Sequence, residues 1–290
     1  MFGLIDNGFS TADLDRFRQH QRAAFDVLEV VSASLKAGET ERQVARRIHK
    51  HMKIAGAKNF FHVPVALFGD RTAYPGDFGQ LGALPTDRML KRNDPVILDC
   101  APIFDGYTVD TSYTMCFGRG GVPAELDNAL EEFRGDVLAD VKAGLTMREI
   151  AQRVNEKVKA KGLENCHRKH IGLVLGHRVT MESNALLRGK SIWGLAPRQS
   201  AYFALKSLRA SRGQPLETPN WNHTRQSDCP PQDGLWAIEP HVAKDGFGAK
   251  FEDLMLIQNG EAYYLDNDLP HTRRWAKLAT KGVAAKSVAA

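Results

Sequence analysis

The sequence predicts an α+β fold assembled from two similar halves, and three observations predict it: a gap-free internal repeat, a helical stretch ahead of each copy, and an Asp-Gly hairpin signal behind each. The repeat lays Leu35 to Asn59, LKAGETERQVARRIHKHMKIAGAKN, over Val141 to Asn165, VKAGLTMREIAQRVNEKVKAKGLEN, at a constant offset of 106 with ten of 25 positions identical. Binary patterning makes amphipathic helices resemble one another. The matched pairs Gly38/Gly144, Thr40/Thr146 and Gly56/Gly162 go beyond patterning. Two copies more than 100 residues apart mark a duplicated half-domain, because solenoid repeats run about 20–50 residues.

The elements of each half follow in order. Thr11 to Leu35 and Ala124 to Val141 carry helical patterning ahead of the repeated segments. Within those segments Val44, Ile48 and Met52, and likewise Ile150, Val154 and Val158, recur every four residues as one apolar stripe of an amphipathic helix. Thr40 and Thr146 are the expected N-caps, and Gly56 and Gly162 the expected stops. Alternating apolar residues then read as strands.

Behind each helical block an Asp-Gly lies between apolar runs, in PVILDCAPIFDGYTVDTSYTMCF and in LWAIEPHVAKDGFGAKFEDLMLI. With Asp105-Gly106 as the central turn residues, Asp110 faces Ala101, and Asp99 lies two residues along on the same face. With Asp245-Gly246 in that role, Glu239 faces Glu252. Four acids on apolar strands demand a cation or a proton, and a pair of divalent metal ions is the economical answer. Solvent-facing acids on half-exposed strands are the competing reading, but they leave the repetition in both halves unexplained.

Carboxylates alone suit Mg or Ca, whereas an imidazole among them shifts preference toward Mn, Fe, Co or Zn. HRKHIGLVLGHRV supplies His170 and His177, seven residues apart around an apolar run, one as ligand and the other placed nearby. His167 reads as a structural histidine.

Composition bounds the rest. With 43% apolar and 25% charged residues in a 290-residue chain, a compact globule is expected. Four cysteines without CxxC pairing point to a reducing compartment. No basic or apolar leader and no uncharged apolar run of about 18 residues is visible, so a cytoplasmic protein without membrane attachment is expected. The net charge of +5 comes from 39 basic and 34 acidic residues interleaved along the chain, which argues against a nucleic-acid partner.

These residues resemble the pita-bread metallopeptidases, a family comprising methionine aminopeptidase, aminopeptidase P, prolidase and their relative creatinase. The resemblance runs from about Asp13 to Gly260 and is carried by the 11-residue step from Asp99 to Asp110, the step from His170 to His177, AIEP at Glu239 and KFED at Glu252. It implies a pseudo-symmetric α+β pita-bread fold, with helices outside a curved, mainly antiparallel sheet. It also implies one catalytic domain over 1–270, with an insertion at about 190–232 and a basic tail over 271–290.

As implied ligands for two divalent ions, Asp99 holds one metal, His170 and Glu239 the other, and Asp110 and Glu252 bridge them. A water or hydroxide between the ions is the implied nucleophile, Glu239 the proton shuttle, and His177 the group that binds the substrate carbonyl. Trp221 and His223, in the insertion, are further candidates for substrate binding.

The chain departs from the family in two places. Related peptidases carry a histidine upstream of the first metal-binding Asp, where this sequence reads TAYPGDFGQLGALP; His62 is the nearest and stands too far upstream for a simple match. With the resemblance starting near Asp13, no counterpart of the amino-terminal domain of prolidase, aminopeptidase P and creatinase is expected. Short peptides are the expected substrate, through an aminopeptidase or Xaa-Pro-type reaction. A creatinase-like transformation of a small amide and a non-catalytic binding relative are the alternatives, and the reading leaves room for a homodimer.

Overall fold

The computed structural model describes residues 3–73, 82–183 and 195–288. The first half holds β1 (Leu4–Ile5), α1 (Thr11–Ala33), α2 (Glu41–Ile54), β2 (Ala57–Phe60), β3 (Val65–Phe68), β4 (Pro95–Cys100), β5 (Pro102–Phe104), β6 (Tyr107–Thr108) and β7 (Thr111–Cys116). The second begins with α3 (Ala124–Lys142), α4 (Met147–Ala160), β8 (Glu164–Asn165), β9 (Val174–Arg178), β10 (Met181–Glu182), α5 (Pro197–Ser211) and β11 (Asn220–Asn222). It ends with β12 (Gly234–Ile238), β13 (His241–Lys244), β14 (Phe247–Lys250), β15 (Asp253–Gln258), β16 (Glu261–Tyr264) and α6 (Pro270–Val288).

The duplication is visible element by element. Helices α2 and α4 both start on a threonine capping box: Thr40 and Thr146 accept the N3 backbone N–H while Gln43 and Glu149 reach back to the cap backbone. Strand β4 is flanked by β3 and β7, and β12 by β9 and β15, all antiparallel. Strand β5 continues β4, pairs with β6 and is bordered by β2; β13 continues β12, pairs with β14 and is bordered by β8. One apolar core beneath α1 and α2 includes Phe17, Phe25 and Phe68, and another beneath α3 and α4 includes Phe133, Trp236 and Phe251.

Both hairpins have the expected register. Phe104 pairs with Tyr107 and Asp99 with Ser112, while Lys244 pairs with Phe247 and Ile238 with Asp253. Asp105, Gly106, Asp245 and Gly246 all have positive φ, as the two central residues of a tight hairpin turn of this kind require. The halves meet where Ser112 bridges Glu252, and Thr114 Oγ both accepts from Lys250 N and donates to Lys250 O.

The segment expected as a basic tail opens as helix α6. His271 and Trp275 are buried, and Arg274 forms a bidentate pair with the buried Asp127, so this end of the helix belongs to the second core. The side chains of 281–290, with Lys281 and Lys286, lie outside the described residues, as does the 190–194 portion of the insertion.

Candidate metal centre

The two β-hairpins converge their acids because each crosses from its central sheet into the flanking one at the same point. Asp99 stands on β4, Asp110 between β6 and β7, Glu239 just beyond β12, and Glu252 between β14 and β15. All four side chains are buried, Asp110 to 1% exposure and Glu252 to 2%. Buried carboxylates at this density cannot all stay ionised without cations.

Among the described residues a cation stands within these acids, Lys250, the last residue of β14. Its Nζ donates to Asp99 Oδ2 at 2.7 Å, Glu239 Oε2 at 3.1 Å and Glu252 Oε2 at 3.2 Å. Three imidazoles close the ring. His170 Nδ1 lies 3.1 Å from Glu239 Oε2, and His177 Nε2 lies 3.3 Å from Asp110 Oδ2 and 3.5 Å from Glu252 Oε1. His62 Nε2 lies 3.3 Å from Asp110 Oδ1 and 3.4 Å from Asp99 Oδ1.

His62, set aside in the sequence for its distance from Asp99, is therefore at the site. Pairing of β2 with β5 continues through the Phe61 N–H to the Ala101 carbonyl, opposite Asp110, and delivers the next residue beside the acids. The stretch that lacks a histidine, 72–85, lies outside the described residues over 74–81.

The electrostatics record an excess of buried anion. Burial alone raises the carboxyls of Asp110, Glu239 and Glu252. For Asp110 the adjacent His62 and His177 outweigh it and hold the group below the usual carboxylate range, and for Glu239 Lys250 and His170 do the same. Glu252 is left over: burial, then the charge of Asp110, pushes it up to about 8. Burial opposes protonation of His62 and His177, yet Asp110 overcomes it, raising His62 to about 10 and His177 well above its ordinary range. Divalent ions bound among these acids would supply the same charge compensation.

The residues fit such ions. Donors bound cis to one six-coordinate ion about 2.1 Å away stand about 3 Å apart. His170 Nδ1 to Glu239 Oε2 and the His62 and His177 separations from Asp110 fall at 3.1 to 3.3 Å. Among the described residues, two three-donor groups have all their ligand atoms within 4.8 Å of one another, His62 with Asp99 and Asp110, and Asp110 with His177 and Glu252. Asp110 belongs to both. Asp99 Oδ1 is buried with no hydrogen-bond partner among the described residues, which a cation would satisfy.

The insertion reaches the site by a different part than expected. Trp221 is fully buried, donates its indole N–H to the Met147 carbonyl and packs edge-on against Trp236, so it is a core residue and not a substrate contact. Its amphipathic ring made the cleft and the core equally good destinations in sequence. His223 is half-buried, with Nε2 3.2 Å from Arg168 Nη2. Helix α5 instead carries Phe203, whose ring lies 5.8 Å from His177 and 4.9 Å from Phe61. His167 is buried against Asn155 as a structural histidine.

Comparison with known proteins accords with this geometry. The family model described as metallopeptidase family M24 matches residues 15–259. An uncharacterized peptidase of Staphylococcus saprophyticus is 27% identical over 157 residues, covering 51% of this chain and 43% of that protein. An uncharacterized peptidase of Staphylococcus aureus is 27% identical over 168 residues, covering 58% and 46%. The chain thus spans less than half the length of these curated relatives.

Among solved structures, the X-Pro aminopeptidase of Thermotoga maritima superposes with a TM-score of 0.66 at 17% identity, covering 92% of this chain and 64% of that one. The prolidase of Pyrococcus horikoshii gives 0.61 at 19% identity, covering 88% and 62%. At these identities the likeness establishes the fold, which is the pita-bread arrangement of helices outside antiparallel sheets.

Proposed function

From the premise that the chain belongs to metallopeptidase family M24, we propose that it is a dinuclear-metal hydrolase that cleaves short peptides near their N-terminus, as an aminopeptidase or Xaa-Pro-type peptidase. The observation that carries the proposal is Asp110, shared by one donor group with His62 and Asp99 and another with His177 and Glu252; His170 and Glu239 stand outside both groups, 3.1 Å from each other. Asp99, Asp110, His170, Glu239 and Glu252 would hold the ions, and the imidazole in the set favours Mn, Co, Fe or Zn. Bound there, two divalent ions would activate a water and polarise the scissile carbonyl.

The chain's own residues supply the rest. Glu239 Oε2 lies between Lys250 and His170, where its carboxylate can take up a proton and pass it to the leaving amine. His177 Nδ1 donates to the Arg178 carbonyl, which fixes the ring, and in the imidazolium form that Asp110 favours Nε2 would donate toward negative charge developing on the substrate oxygen. Phe61 and Phe203 form an apolar wall at His177 that excludes water and receives an apolar side chain.

Fold relatives titled X-Pro aminopeptidase and Xaa-Pro dipeptidase support a peptide with proline behind the scissile bond. The small-amide reading drew its support from a missing upstream histidine and the long insertion; His62 beside Asp99 and Asp110 supplies an imidazole there and so favours the peptidase reading. Among the described residues no helix is long and apolar enough to cross a membrane, and we propose the cytoplasm as the location.

The test is release of the N-terminal residue from a panel of di- to pentapeptides, with and without proline at the second position, by protein loaded with Mn2+ or Co2+. Turnover of at least one peptide class, abolished by chelation, is expected. Metal-loaded protein that cuts none would overturn the proposal.

A further inference from the structure

Helix α5 carries Phe203 to the wall beside His177, and polar side chains in its first two turns fix how the helix lies. Arg198 Nη2 and Gln199 Nε2 donate to Glu182 Oε1 on β10, at 2.7 and 3.2 Å. One turn further on comes Tyr202, buried to 7% exposure, whose hydroxyl donates to Asp6 Oδ2 at 2.6 Å. An α-helix turns about 100° per residue, so holding residues 198, 199 and 202 on one face sets the direction of residue 203. With that direction set, the centroid of the Phe203 ring lies 4.9 Å from that of Phe61, 5.8 Å from His177 and, edge to face, 5.6 Å from Tyr202. Toward its other end α5 is tied to β11, where Asn220 Nδ2 donates to Ser207 Oγ at 3.0 Å, so Glu182 and Asp6 govern the half that carries Phe203.

Asp6 belongs to the segment ahead of α1, and that segment is itself held. Leu4 and Ile5 of β1 pair with Glu182 and Met181 of β10, and the Ser183 N–H and hydroxyl both donate to the Gly3 carbonyl. The Asp6 carbonyl accepts from Nη1 of Arg178, the residue after His177, at 3.3 Å. That guanidinium is buried over the Trp236 ring and also donates to the Asp233 carbonyl and to Gln232 Oε1. Gly234 makes room for the approach: a Cβ there would stand 2.1 Å from Arg178 Nη1 and 2.2 Å from the Asp6 carbonyl oxygen. Asp6 thus joins the strand of His177, through its backbone, to the helix of Phe203, through its side chain.

On the reading given above, in which Phe61 and Phe203 form the wall that receives an apolar side chain, we propose that Asp6 and Tyr202 are positioning residues. Their hydrogen bond sets how far Phe203 stands from His177, and with it the fit of a bulky apolar first residue of the peptide. The link itself needs only the Tyr202 hydroxyl and an acceptor at position 6. Asparagine there keeps an oxygen acceptor and alanine does not. A peptide that begins with glycine or alanine does not fill the space at the wall and is indifferent to the link. Binding lost equally from ground state and transition state raises KM and leaves kcat unchanged, which is the pattern expected of residues that stand behind the wall and not at the reacting atoms.

The test has one readout with turnover and one without. In Mn2+-loaded protein, Tyr202→Phe and Asp6→Ala should each raise KM about 3–10-fold for peptides that begin with leucine or phenylalanine, with kcat within about twofold. Peptides that begin with glycine or alanine should stay within about twofold in both constants. Asp6→Asn should match wild type, and Asp6→Ala combined with Tyr202→Phe should be no weaker than either alone, because both remove one interaction. In protein held in chelator, nuclear Overhauser contacts between the Phe203 and His177 rings should be present in wild type and Asp6→Asn and weaker in Tyr202→Phe and Asp6→Ala. An unmoved KM in Tyr202→Phe, an equal rise for glycine peptides, an Asn variant as weak as the Ala variant, or unchanged ring contacts would each overturn the inference. If Asp6→Ala does not fold, Tyr202→Phe decides. Protein that cuts no peptide, with the ring contacts weakened as expected, would count against the proposed activity and not against the link.

Discussion

Replacing Lys250 with methionine keeps much of the side chain's volume and removes the ammonium, which isolates the question of what neutralises the buried acids. Lys250 is 3% exposed and makes three charge-assisted contacts, at 2.7, 3.1 and 3.2 Å. Each such hydrogen bond contributes about 1.5–3 kcal/mol. Removing one buried lysine also removes its own desolvation cost, and Glu252, already pushed up to about 8, can answer by keeping its proton. The net loss for metal-free protein is therefore about 3–5 kcal/mol, the range for breaking a buried ion pair. In a chain of this size it lowers the melting temperature by roughly 5–8 °C.

Metal should reverse much of that loss. Mn2+ at about 100 times its dissociation constant stabilises wild type by about 2.7 kcal/mol. It should stabilise Lys250→Met by more, because the ions then supply the positive charge the lysine supplied. The assay is differential scanning fluorimetry of both proteins in chelator and in Mn2+. The gap between them should narrow by at least about half on adding metal. A metal-free variant that melts within about 2 °C of wild type, or one that gains no more from Mn2+ than wild type does, would refute the view that these carboxylates share one buried charge cluster.

Further outcomes follow from other residues. Phe203→Ala should raise KM about 5–30-fold for peptides with a bulky apolar residue at the site and leave metal affinity unchanged, because one aromatic face at His177 is lost; an equal effect on peptides of glycine and alanine would show that the wall has no role in selection. Trp221→Phe should cost about 1–2 kcal/mol in urea unfolding, through the buried Met147 carbonyl left without its partner, with KM unmoved; a large KM change would return Trp221 to the substrate site. His167 should make metal-free protein less stable in mild acid. Burial pulls its folded pKa from 6.5 to about 3, so the unfolded chain takes the proton first, and stability that is whole above 6.5 drains away as pH falls toward 3. Between pH 6.5 and 5 the loss is about 2 kcal/mol at most, and His167→Gln should flatten that slope in denaturant titrations.

Much of this fold was legible because its constraints are local. The threonine caps, the glycine stops and the apolar stripes are set within one helix, and two Asp-Gly turns fix the strand register to the residue. Register in turn placed Glu239 near Glu252 and Asp99 near Asp110, so the acids could be found without tertiary information. The same register pairs His241 with Lys250, one step along the same face. That signal was present in EPHVAKDGFGAKFED, but an acid-centred reading stops at the charges that need compensation and overlooks the groups that provide it.

His62 had no such signal. It reaches the site through the pairing of β2 with β5, a contact between segments about 40 residues apart in sequence, which periodicity does not report. Trp221 lies in the core, and Phe203 beside His177, for a similar reason. Both are aromatic residues in the insertion, and only the seat of β11 against β9 decides which one is buried.

The account depends on the five ligands holding two ions, and metal content tests it most directly. Purified protein incubated with Mn2+, freed of excess by gel filtration and analysed by mass spectrometry, should retain two ions per chain, and Asp110→Ala, which removes the carboxylate common to both donor groups, should retain fewer than one. Wild-type protein that emerges with no bound metal, and melts at the same temperature in Mn2+ as in chelator, would contradict the metal centre.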